Sequence, residues 1–190
     1  VPVVLGARGT DTRIGLGGLQ GRALFAGDHL KTSAPTACTH QPGWRVHYEA
    51  WYDSAPIRVV RGGQWDDFAS EFIGADFTIS SRSDRMGVRL TGSAFHRRMA
   101  PDLASGPVVP GTIQVPPDGQ PIVLLSDAQT LGGYPVVAHV AGVDLPRVAQ
   151  CRPGAVIQFT EVAIEEAHDL QLQRYVELAR LRYGIEVRRR

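Results

Sequence analysis

Only two cysteines, Cys38 and Cys151, occur in 190 residues, far apart and outside any CxxC or Cys/His pairing. That scarcity excludes a disulfide framework and a thiolate zinc site, and both thiols are expected to be reduced and buried. Charge of one sign is also missing. Twenty Lys and Arg against nineteen Asp and Glu give a formal net charge of +1, too little for a global field that draws nucleic acid or an anionic membrane. No apolar run reaches the length of a spanning helix, and the opening VPVVLGARG lacks the basic and apolar regions of a secretory signal. The expected location is therefore cytoplasmic, with no membrane and no nucleic-acid partner. GxSxG is absent, so Ser126 and Asp127 with any histidine do not make a nucleophile-elbow triad. The glycine-rich stretch 16–28 has no GxxxxGK[ST], which excludes a P-loop. Low-complexity tracts and internal repeats are absent too.

What is present is apolar material and turn residues. At 43% hydrophobic, 190 residues fill one medium domain with a true core. Twenty-one glycines and thirteen prolines cut the chain into short apolar runs, the pattern of a mainly β protein, a barrel or a sandwich. Strands are expected at Arg45–Trp51, Ile57–Arg61, Phe77–Ser80, Gly87–Thr91, Thr112–Val115, Ile122–Ser126, Val136–Val140 and Val156–Val162. Residues 122–125 are apolar at every position, which predicts a mid-sheet strand covered on both faces. PPDG at 116–119 predicts a hairpin between its flanking strands. Residues 31–43, small and polar, read as a surface connection between an N-terminal ribbon and the main barrel.

Three helices interrupt this pattern. Gln64–Phe72 spaces Trp65, Phe68, Ala69 and Phe72 as an amphipathic lid on one barrel end. Asp144–Gln150 has Asp144 in the N-cap position. Ile164–Tyr183 carries Glu165 and Glu166 in its first turn and Arg180 and Arg182 in its last, with Gly184 as the expected stop. Arg188, Arg189 and Arg190 read as a solvated basic tail.

Charge and amide groups gather at strand ends in three segments: SDRMGVRL (83–90), GTIQVPPDGQP (111–121) and LLSDAQTLGGYP (124–135). These outline one polar site on a β scaffold. A purely structural role is weighed for each group. Asp84 with Arg85, or Asp127 with Arg89, forms an ion pair closing a barrel end; Gln114 satisfies neighbouring backbone; the GGYP turn only fixes backbone shape. Met86 and His139 read as core, His139 hydrogen-bonded within an apolar strand.

With those segments in place, the chain resembles the C-terminal part of the KipA family, also called allophanate hydrolase subunit 2 or the 5-oxoprolinase C subunit. The carboxyltransferase part of urea carboxylase is related to it. The resemblance rests on VPVVLGARGTDTRIGLGGLQGRALFAGD, SDRMGVRL, GTIQVPPDGQPIVLLSDAQTLGGYP and DLPRVAQCRPGAVIQFTEVAIEEA, in that order. It implies a cyclophilin-like β-barrel with short lidding helices and a C-terminal helix. Residues 1–190 are then one domain, expected to be the C-terminal part of a longer polypeptide, in keeping with a start at Val1 rather than Met. Two departures stand out: Val88 where the family often has an aromatic residue, and GGQW near residue 63 in place of a proline-containing turn.

The resemblance further implies an ATP-dependent (Mg2+) 5-oxoprolinase-type complex, a hydrolase of a small amide. Its expected partners are a KipI-type protein, the B-type component of such a complex, and an A-type hydrolase component. In that setting Arg85 and Arg89 are planar cationic forks for an anion, and Asp127 orients an arginine or accepts a proton. Gln114 and Gln129 hold an amide, and Tyr134 offers a hydroxyl or a ring face beside Gly132 and Gly133. Arg85 and Asp127 are the expected catalytic pair; Arg89, Gln114, Gln129 and Tyr134 the expected substrate-binding set; no metal ligand is expected. One alternative is carboxyl transfer from biotin on a partner, since the only lysine, Lys31, lies in no MKM-type acceptor sequence. Another is a non-catalytic KipA-type regulatory binding module docking through Trp44, Trp51 or Leu131. Allophanate hydrolysis is a weak third.

Overall fold

The computed structural model describes residues 1–32, 55–95 and 103–188. The expected strand Arg45–Trp51, with Trp44, Trp51, Cys38 and most of the 31–43 connection, lies outside them. The chain divides into two compact units, Val1–Arg45 and Val46–Arg190.

In the first unit, β1 (Thr10–Asp11) and β2 (Leu16–Gly17) form a two-stranded antiparallel ribbon. The segment after it is pinned by Arg22, whose guanidinium grips both Asp28 oxygens at 2.7 and 2.9 Å and lies over the Phe25 ring. The Arg22 hydrogen bonds, then the Phe25 amide, hold the Asp28 carboxyl down at about 2.

The second unit is built on β3 (Ile57–Arg61), β4 (Phe77–Ile79), β5 (Gly87–Thr91), β6 (Gly106–Pro107), β7 (Thr112–Gln114), β8 (Ile122–Leu124), β9 (Leu131–Gly132), β10 (Val136–Val140), β11 (Val156–Ile157) and β12 (Phe159–Glu161). Eight of these form one sheet in the order β11-β4-β5-β8-β7-β10-β3-β12. Its two edge strands are consecutive in the chain, separated only by Gln158, whose carbonyl accepts the Ile57 amide at 2.7 Å. One residue therefore carries the chain from one edge to the other, and the sheet curls into a nearly closed barrel. That is why the expected strand Val156–Val162 is broken in two: it pairs antiparallel with β4 before Gln158 and parallel with β3 after it.

Directly opposed residues share a face of a sheet. The row Val88, Val123, Ile113, Ala138 is buried and faces inward. Val88, the departure from the family's aromatic, is simply part of this row. As the unbroken apolar run implied, β8 lies mid-sheet between β5 and β7. Helix α1 (Trp65–Phe72) adds Trp65, Phe68 and Phe72 to the core. There Phe72 stacks on Phe159 at 4.8 Å and meets Phe77 at 5.6 Å, contacts that add specificity to plain area burial.

Between β7 and β8, Gly119 has φ +73° and donates to the Pro116 carbonyl at 2.9 Å, so the PPDG hairpin forms as its residues predict. A Cβ on Gly119 would stand 2.5 Å from the Phe95 carbonyl oxygen, a backbone atom that cannot swing away. Gly119→Ala is therefore expected to cost about 1–3 kcal/mol, read as a lower urea midpoint. An unchanged midpoint would mean the hairpin tolerates another turn.

Helices α2 (Leu145–Ala149) and α3 (Ile164–Arg188) complete the unit. The latter runs through Gly184 rather than stopping there. A single glycine costs only about 1 kcal/mol in a helix, and Glu186 pairs with Arg182 across it at 3.0 Å. Among the described residues no helix is long and apolar enough to cross a membrane.

Candidate functional site

Two loops meet at one end of the β5–β8 ladder. Asp84 shapes the first: its Oδ1 accepts the amides of Met86 at 2.8 Å and Gly87 at 3.2 Å. The second follows β8, and backbone bonds from Leu125 to the Met86 carbonyl and from Asp127 to the Arg85 carbonyl tie it to the first. Backbone thus brings the side chains of Arg85 and Asp127 together, with Arg85 Nη2 3.0 Å from Asp127 Oδ2. The pairing differs from both ion pairs anticipated from the sequence, because Asp84 is spent on its own turn. Side chains 85% and 42% exposed make a pair worth under about 1 kcal/mol to stability.

The Arg85 guanidinium lines a pocket of about 440 Å³ with Leu125, Ser126, Asp127, Gly142, Leu145, Pro146 and Ala149. Cation and carboxylate stand on one side; an apolar wall supplied by α2 stands on the other. Sequence reading missed that wall: it placed Asp144–Gln150 on a helix, but nothing local shows which way Leu145 and Pro146 face.

Directly before α2 stands Asp144, whose side chain is 0% exposed. It occupies the N-cap position, yet caps nothing with its side chain. Instead Arg58 donates to it from its backbone amide at 2.9 Å, from Nε at 2.8 Å and from Nη2 at 2.7 Å, and Arg147 adds a bond at 3.1 Å. Burial alone would raise the Asp144 pKa, but the Arg58 and Arg147 hydrogen bonds outweigh it and hold the carboxyl below its ordinary value. Asp144 thus moors α2, and the pocket wall it carries, to β3.

On the other side of α2 lies a second cavity of about 380 Å³, lined in part by Arg147, Gln150, Cys151, Asp76 and Gln158. Burial pushes the Cys151 thiol up, and its sulfur donates to the Arg147 carbonyl, the environment of an inert thiol. His139, half-buried, bonds Thr112 at 3.3 Å, and burial lowers its pKa.

The remaining expected residues lie outside the Arg85 pocket. Gln114 opposes Ile122, which opposes Arg89, a row on the outer face at the far end of the ladder. Gln114 is nonetheless 2% exposed, because the β6–β9 ribbon covers it. It donates to the Tyr134 carbonyl at 3.3 Å, and a Cβ on Gly132 would come within 2.5 Å of its amide nitrogen. Gln114 therefore holds the ribbon down. Tyr134, Arg89 and Gln129 are exposed. Among the described residues no three His, Cys, Asp or Glu side chains are placed to hold a metal ion.

A family model of the carboxyltransferase domain, subdomain A and B, matches residues 1–161. The chain is 38% identical over 183 residues to the 5-oxoprolinase C subunit of Escherichia coli (strain K12), covering 93% of this chain and 58% of that protein. It is 35% identical over 187 residues to the 5-oxoprolinase C subunit of Haemophilus influenzae (strain ATCC 51907 / DSM 11121 / KW20 / Rd), covering 96% and 59%. It thus spans a little under three fifths of these curated relatives. Its fold matches the crystal structure of the Kluyveromyces lactis urea carboxylase with a TM-score of 0.62 at 25% identity, over 88% of this chain and 17% of that one.

Proposed function

The chain belongs to the carboxyltransferase domain family, subdomains A and B, and from that premise we propose that it serves a cytoplasmic 5-oxoprolinase-type complex whose small-amide substrate enters the Arg85 pocket. The observation that carries this reading is the juxtaposition of one cation with an apolar wall, in a chain 35–38% identical to 5-oxoprolinase subunits. A five-membered lactam bearing a carboxylate presents an anion and a small ring face. Arg85 meets the anion with a planar, two-point guanidinium fork. Asp127 keeps the fork aimed, and Leu125, Leu145 and Pro146 cover the ring.

Hydrolysis adds one water across the lactam C–N bond and is driven by ATP. The pocket does not fit a magnesium nucleotide, since among the described residues that line it Arg85 is the one cation and Asp127 the one carboxylate. We therefore assign ATP and Mg2+ to other parts of the complex, a KipI-type B component and an A-type hydrolase component. The test is 5-oxoproline-dependent ATP hydrolysis by the reconstituted complex. Turnover that needs this chain is the expected result; equal turnover without it rejects the reading.

The likeness to urea carboxylase favours one second reading, carboxyl transfer from biotin on a partner to urea or a similar amine. A cation beside an apolar wall also suits a neutral ring carrying a carboxylate. Labelled bicarbonate appearing in urea only with an added biotin carrier would select this reading over the first.

A further inference from the structure

The cavity on the far side of α2 lies at the seam of the barrel, where β11 passes into β12 through Gln158. At about 380 Å³ it falls in the size range of small-molecule sites, and nothing in the Arg85 pocket's chemistry uses it. Pro56, Val156 and Ile157 give it an apolar wall. Its polar side combines side-chain amides with charge. Among the described residues that line it, the charged ones are Arg147 and Asp76, one of each sign.

Both charges act inside the cavity. Arg147 bonds Asp144, but Arg58 bonds the same carboxylate, so two guanidinium groups share one anion and the cluster behind this wall stays cationic. That charge reaches the lining: at Cys151 burial pushes the thiol pKa up, and the positive charge of Arg147 pulls against it. The Arg147 side chain is only 11% exposed, so water and salt screen it weakly. Asp76 accepts from the Gln158 side-chain amide at 2.7 Å, and a neutral donor leaves the carboxylate its charge. A plain anion entering the cavity meets Asp76 as a like charge, and a plain cation meets Arg147. A molecule that carries a carboxylate and an ammonium together meets an opposite charge at each.

We propose that this cavity binds a small apolar α-amino acid as its zwitterion, with the carboxylate against Arg147, the ammonium against Asp76 and the side chain on Pro56, Val156 and Ile157. The probe is L-valine, titrated into the chain at pH 7 and followed by backbone amide NMR shifts. A ligand of this size is expected to bind with a Kd on the order of 1 mM, moving the amides of Gln150, Cys151 and Val156 and leaving those of Ser126 and Asp127 in place. Arg147 also holds Asp144, so its part is tested from the ligand side. Isobutylamine, which is valine without its carboxylate, and isovalerate, which is valine without its ammonium, should each bind roughly tenfold more weakly or worse. Asp76→Asn keeps an oxygen for Gln158 but removes the charge; it should leave the thermal transition in place and weaken valine binding by roughly tenfold. No shift at about 20 mM valine, isovalerate or isobutylamine binding as well as valine, Asp76→Asn binding like wild type, or shifts confined to Ser126 and Asp127 would each overturn the proposal.

Discussion

Replacing Asp144 by asparagine should destabilise the barrel by about 3 kcal/mol at pH 7, a fall in Tm of roughly 10 °C for a unit of this size. The size of the effect follows from burial. The Asp144 side chain is 0% exposed and Arg147 only 11%, so removing the carboxylate takes a shared anion from two guanidinium groups in a place water scarcely reaches. Asparagine keeps the shape but turns one acceptor into an N–H donor aimed at other donors. The sign of the pH dependence follows from the lowered Asp144 pKa. A carboxyl whose folded pKa lies below its unfolded value of about 3.9 contributes its full stability above that value, and loses it as pH falls through the folded one. Wild type and Asp144→Asn should therefore differ by the same amount from pH 7 to about pH 5, and the gap should narrow as pH falls below about 4 toward the lowered Asp144 pKa. Urea titrations at pH 7 and pH 3 measure this. A gap of under about 1 kcal/mol at pH 7, or one that widens in acid, would show that the Arg58–Asp144 pair does not moor α2.

Much of the barrel was legible because its strands obey local rules. Val136–Val140 and Gly87–Thr91 occur with the bounds that their apolar runs and flanking turns imply, and PPDG marks its hairpin. What escaped was long-range. Nothing local announces that Gln158 is the joint where one edge of the sheet becomes the other, because closure depends on β4 and β3, which lie far earlier in the chain. Asp144 looked like a helix cap by position, since a short acid before Leu-Pro is a standard N-cap; only the fold brings Arg58 to it across 86 residues. The site divides in the same way. Arg85 and Asp127 flank strands that pair as neighbours, which is why they end up side by side. Gln114 sits on a neighbouring strand as well, but its face is roofed by the β6–β9 ribbon, and a roof made by distant segments leaves no mark in the three residues TIQ.

Arg85→Ala should lower 5-oxoproline-dependent turnover of the reconstituted complex by roughly 100-fold while leaving the folding stability of this chain within about 0.5 kcal/mol. The two halves of that expectation have one cause. The Arg85 side chain is 85% exposed and its ion pair with Asp127 stands in water, so the fold gains little from it. A substrate that fills the pocket expels that water, and the same guanidinium then faces an anion in a drier setting where its charge counts for far more. Arg85→Lys keeps the charge but loses the planar two-point fork, and should recover only part of the activity. Asp127→Asn leaves the cation in place and removes what aims it, so a loss of roughly tenfold is expected, expressed in KM more than in kcat. Full turnover by Arg85→Ala would remove this pocket from the reaction. A large loss of stability in the same variant would assign Arg85 to the fold instead of to the substrate.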